Sequence, residues 1–152
     1  MSLTDQLQDD MKTAMRDGDT ERRDTLRMVM AAAQNAAKDK REPLTDEETT
    51  AVITREVKKR RESIKAYQDA GRDDRAAQEQ REVDILSPYL PEQMSEAEVQ
   101  ALVVEAVAAT GAASQKDMGR VMGALMPKVK GRADGKLVSA LVDQELARVA
   151  GA

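Results

Sequence analysis

The 152-residue chain contains no cysteine and no histidine. Without thiols there is no disulfide framework, no thiolate zinc site and no cysteine-dependent glutaminase or protease. Without imidazole there is no Ser-His-Asp relay, no histidine general base and no histidine metal ligand. Phenylalanine and tryptophan are also missing, and tyrosine occurs twice. The 41% apolar content therefore comes largely from Ala, Val, Leu and Met, which, with eight Gly and four Pro, favours helices over a twisted sheet. No apolar run approaches the roughly 18 residues of a membrane span; Ala101–Val104 runs straight into Glu105. The opening Met1-Ser2-Leu3-Thr4-Asp5 lacks the basic and then apolar run of a signal peptide, so a soluble cytoplasmic protein without membrane contact is expected.

What is present is charge and helical spacing. Acids outnumber bases 28 to 24, for a net charge of −4. Ser2 is placed to cap a first helix striped by Leu3, Leu7, Met11, Ala14 and Met15, with Gly18 as its stop. A second helix starts at Asp19 or Thr20, carries Leu26, Val29, Met30 and Ala33, and runs to about Lys40 before Pro43. Thr45 and Glu48 form a capping box for a long third helix ending near Ala70-Gly71, with Ile53, Val57, Ile64 and Tyr67 on its stripe. Arg60 falls within that stripe. It is expected to snorkel, to pair with a carboxylate from another helix, or to mark a docking place. A fourth helix over about Asp73–Leu86 should bury Ala77, Val83 and Ile85 or Leu86.

Ser87-Pro88-Tyr89-Leu90-Pro91 should then exclude helix and hold the chain extended. Charge divides there as well, because from Ser95 onward seven acids balance seven bases. We therefore expect an all-α protein with a helical domain of about four helices over 1–90 and a three-helix bundle over 91–152. In the second part Ser95 and Glu98 suggest another capping box, with Met94 and Val99 as its hydrophobic staple. Ser114 should cap a helix lined by Met118, Val121, Met122, Leu125 and Met126, and Lys136–Val149 should form the last. Gly119 and Gly123 are expected to let two helices approach closely, and the methionine row to be core.

Two groups of bases stand out. On the third helix Lys58, Arg61 and Lys65 share one face and Arg55 lies beside it, either a solvated surface or a footprint for phosphates. Between Lys116 and Lys136 the bases Lys116, Arg120, Lys128, Lys130, Arg132 and Lys136 meet only Asp117 and Asp134, a local surplus of +4. Four of them surround a Gly131–Gly135 loop that opens a helix, either a basic connection between two helices or a place where free backbone amides also favour an anion. The loop is no Walker A motif: its glycines are one residue too close, and Leu137 follows Lys136 where Ser or Thr would hold magnesium.

The run Lys116-Asp-Met-Gly-Arg-Val-Met-Gly-Ala-Leu-Met126 and the following Lys130–Val138 resemble the tail domain of the B subunit of the tRNA-dependent amidotransferase. Arg23–Met28, Leu44–Glu48, Arg55–Arg60, Ala70–Asp74 and Tyr89–Met94 resemble the stand-alone YqeY proteins, so the chain is identified as a member of that group. The resemblance implies an all-α fold and the label of a carbon–nitrogen ligase with glutamine as amido donor. It also implies a tRNA contact over Gly119–Val138. Catalytic and metal-ligating residues are not expected, nor is a cofactor. The expected partner is tRNA, gripped by shape and backbone through the ten bases named above. The alternatives are a module docking on an acidic protein, such as an amidotransferase or another translation protein, and, least supported, an autonomous amide-forming enzyme.

Overall fold

A computed structural model describes residues 1–151. Among these are seven α-helices, two 3₁₀ turns and no strand, the all-α class expected. The helices are α1 (Leu3–Asp17), α2 (Thr20–Lys40), α3 (Asp46–Asp69), α4 (Asp73–Leu86), α5 (Glu96–Thr110), α6 (Met118–Val129) and α7 (Gly135–Ala150). They gather into two compact units, one of Met1–Leu90 and one beginning at Pro91.

The first unit holds α1 to α4 around Leu7, Leu26, Val29, Ile53, Val57, Val83 and Leu86. Local signals set where its helices start. The Ser2 hydroxyl accepts from the Asp5 amide at 3.1 Å, and the Asp5 carboxylate reaches back to the Ser2 amide. Thr45 and Glu48 do the same for α3, and Lys40 reinforces that box from α2 at 2.8 Å. Asp46 ties two helix starts together, because its carboxylate accepts the Leu3 amide at 2.9 Å. Helix α2 ends before Pro43, at Arg41, whose φ of +64° is the left-handed conformation usually left to glycine.

Four expectations about chain detail need correction. Met15, expected on the apolar stripe of α1, is exposed. Ala76, not Ala77, is the buried alanine of α4. The Ser87–Tyr89 segment is a 3₁₀ turn with Pro88 in its first positions, where a missing N–H costs nothing; extension begins only at Leu90. At α5 the Ser95 hydroxyl accepts from the Glu98 amide at 3.1 Å, but the Glu98 carboxylate does not return the contact, so only half of that box forms.

Arg60 is 5% exposed and pairs with a carboxylate from another helix. Its Nη1 donates to Glu56 Oε2 at 2.9 Å and to the Glu56 carbonyl at 3.0 Å, and its Nε reaches Glu82 Oε1 of α4 at 3.3 Å. A guanidinium taken out of water needs such partners, and the carboxylates it holds are left uncompensated without it. At the end of the unit the Tyr89 hydroxyl donates to Asp10 at 2.5 Å, joining the 3₁₀ turn to α1.

The second unit packs α5, α6 and α7 around Val99, Val103, Val107, Val121, Leu125, Val129, Val138, Val142 and Leu146. Ser114 caps a 3₁₀ turn, Gln115–Asp117, rather than α6 itself, and α6 follows at Met118.

Two outcomes are expected. Arg60→Ala should lower unfolding free energy by roughly 3 kcal/mol in urea titration, through the two carboxylates left unpaired. Burial first, and then the Asp10 hydrogen bond, raise the Tyr89 hydroxyl above its ordinary value of 10.0. The stability this gives is complete below that pH and is lost progressively as pH rises from there towards the raised value. Thermal unfolding of Tyr89→Phe should therefore lose part of the wild-type decline above pH 10.

Candidate nucleic-acid interface

Helix α6 buries Val121, Leu125 and Val129, spaced by four, with Met118, Met122 and Met126 partly buried beside them. The remaining positions, Gly119, Arg120, Gly123, Ala124, Pro127 and Lys128, are all exposed. The outer half of the helix is thus a low strip of small residues from which only Arg120 and Lys128 project. A Cβ added at Gly119 or Gly123 would meet no atom within 4 Å, so this pair does not bring two helices of the chain together, contrary to expectation. The strip is costly for a helix. Each glycine sacrifices about 1 kcal/mol relative to alanine, and Pro127 removes the amide that would bond the Gly123 carbonyl.

The bases of this unit differ in what already holds them. Arg120 pairs with Asp117 at 3.1 Å and Lys128 lies 4.0 Å from Glu105, both on the surface. Exposed pairs of this kind contribute at most about 1 kcal/mol and give way readily to a competing anion. Lys116 and Lys136 are exposed and, among the described residues, take part in no ion pair. Lys130 is exposed and has an interaction of its own. Arg132 is half-buried and has a structural task. Its Nε donates to the Glu92 carbonyl at 3.2 Å, and its own carbonyl accepts the Met94 amide at 2.8 Å. Gln93 adds a bond to the Gly131 carbonyl at 3.0 Å, so the loop is pinned to the segment preceding α5.

The start of α7 is not an open anion cradle. Asp134 caps it, its carboxylate accepting the Lys136 amide at 3.1 Å. Asp117 likewise accepts the Ala113 and Ser114 amides at 2.8 and 3.3 Å. Those two amides, and then Arg120, hold its carboxyl below the usual range. By charge count alone both aspartates read as stray acids. The signal for Asp134 was its position just ahead of a helix, where Asp is a preferred cap, and for Asp117 its place three residues after Ser114, the spacing of a capping box.

On α3 of the first unit, Arg55, Lys58, Arg61 and Lys65 are all exposed along about 15 Å of helix, at 1.5 Å per residue. Lys58 has an interaction of its own; Arg55, Arg61 and Lys65 enter no ion pair among the described residues. Each unit therefore presents a cationic surface: α6 with its following loop in one, α3 in the other. No group of three or more acidic side chains among the described residues is placed to hold a metal.

The family model for Yqey-like proteins matches residues 4–146. The chain belongs to the YqeY-like family. A relative from Pyrenophora tritici-repentis (strain Pt-1C-BFP), named altered inheritance of mitochondria protein 41, mitochondrial, is 32% identical over 141 residues, covering 91% of this chain and 77% of its own. That name assigns the relative to mitochondria. Among the described residues of the present chain, no helix is long and apolar enough to cross a membrane.

The strip predicts an unusual sign. Because the space around both glycines is open, Gly119→Ala and Gly123→Ala should each stabilise the protein by about 0.5–1 kcal/mol, read as a rise in Tm.

Proposed function

We propose that this family member is a cytoplasmic RNA-binding accessory protein with tRNA as its partner, serving glutamine-dependent amide transfer whose bond-making step belongs to another protein. The observation that carries this reading is the outer side of α6, where small residues are kept at a cost in helix stability and only cations project. A surface of that kind lets a phosphate backbone approach closely, with Arg120 and Lys128 beside it and Lys116, Lys130 and Lys136 at its ends. Arg132 supports the loop and contributes charge from there. The Arg55–Lys65 side of α3 supplies a second backbone contact.

Recognition would be by shape and backbone. Tyr67 and Tyr89, the two aromatic residues, both lie in the first unit, so the α6 surface has no stacking platform for splayed bases. Counterion release then dominates affinity, which falls steeply with salt.

Fluorescence anisotropy with labelled tRNA tests this. Binding is expected at low salt, with log K falling linearly against log salt concentration. Replacing Lys116, Arg120, Lys128 and Lys136 together by Ala should weaken binding to many tRNAs alike and reduce the slope by about 1 for each phosphate no longer neutralised. No binding at low salt would refute the proposal. A protein partner that co-purifies after nuclease treatment would favour docking on an acidic protein surface, a reading to which the net charge of −4 lends weight.

A further inference from the structure

A cleft of about 610 Å³ opens in the first unit between α2, α3 and α4. This volume falls in the range of small-molecule sites. Five carboxylates and three basic groups line it, a net charge of −2. Most of these charges are matched. Arg81 of α4 bridges to Glu21 of α2 at 2.9 Å, Arg60 serves both Glu56 and Glu82, and Asp24 is held at 2.8 Å by Arg23 just outside the lining, which leaves one carboxylate without a partner.

Two groups are not. Glu79 of α4 lines the cleft with neither a hydrogen bond nor an ion pair among the described residues. Burial and the neighbouring Glu82 charge push its carboxyl above the usual range, against the pull of Arg60. The second group is Nη2 of Arg60, on a side chain only 6% exposed. Among the described residues its two N–H groups find a single partner, the Met28 sulfur at 3.9 Å. A thioether is a weak acceptor. Met28 is itself 56% exposed and lines the cleft, so an oxygen ligand could take its place.

The geometry points to a binding site for a small cationic ligand that carries a protonated amine for Glu79 and a neutral oxygen acceptor for Arg60 Nη2, of the amino-amide class. The neutrality of the acceptor follows from the lining, since a carboxylate-bearing ligand would add to an existing negative surplus. One protonated amine balances the carboxylate left over, Glu79. The two contacts address different chemistry on different helices, and neither depends on the cationic surfaces described above.

Lysinamide, with two amines and one amide carbonyl, is the probe, titrated into the full chain carrying methyl-labelled methionine. Saturable one-to-one binding is expected, with the Met28 methyl resonance among those that shift. Cadaverine, which keeps both amines but lacks the carbonyl, should bind more weakly. Glu79→Gln should weaken lysinamide binding about tenfold, whereas Asp69→Asn, a charge loss at the end of α3 outside the cleft lining, should leave it unchanged. Loss of fold does not confuse the result, because Glu79→Gln removes a repulsion with Glu82 and keeps the protein's Tm. Absence of saturable binding, equal affinity for cadaverine, or an unaltered affinity in Glu79→Gln would each overturn the proposal.

Discussion

Val121, Leu125 and Val129 recur every fourth residue and decide which side of α6 faces the core. A helix has only two sides to offer. Once those three side chains and the neighbouring methionines are inside, Gly119, Gly123, Ala124 and Pro127 must lie outside, together with Arg120 and Lys128. The character of the second unit's cationic surface follows from that constraint. It is flat because its residues are small, and positive because its two long side chains are bases. A surface chosen for helix stability alone would have alanine or a straight-chain residue at these positions.

The same logic operates on α3 with the opposite outcome. Its inward side carries Ile53 and Val57, and also Arg60, a charge placed where an apolar residue would be expected. Glu56 and Glu82 resolve that conflict by surrounding the guanidinium, so that α3 and α4 are joined by an ion pair as well as by aliphatic contacts. The arrangement leaves one amino group of Arg60 short of oxygen partners beside the unpaired Glu79, and a cleft forms around them. Places where a sequence departs from simple patterning are where function is usually found.

The helices were legible because their punctuation is local. Ser2, Thr45 and Ser95 act on amides three residues away, Gly18 and Gly111 adopt left-handed backbone, and Asp73–Leu86 runs between breakers that can be read directly. Misreadings came where two neighbours compete for one role. Ala76 and Ala77 are equally apolar, and only the packing of α4 selects between them. Pro88 forbids a backbone donor but not a 3₁₀ turn that needs none there. The bond from Arg132 to the Glu92 carbonyl, forty residues away, was not legible either. Asp134 and Asp117 entered the sequence reading only as counter-charges, yet each serves nearby amides.

By itself the sequence determined the all-α class, most helix limits and the inward placement of Arg60, because caps, breakers and a repeat of 3.6 act over a few residues. Which acid meets Arg60, which bases are already engaged, and whether a glycine pair faces a neighbour or open solvent were settled only by tertiary structure. Those outcomes depend on side chains from distant parts of the chain arriving at one place, and no local spacing encodes that arrival.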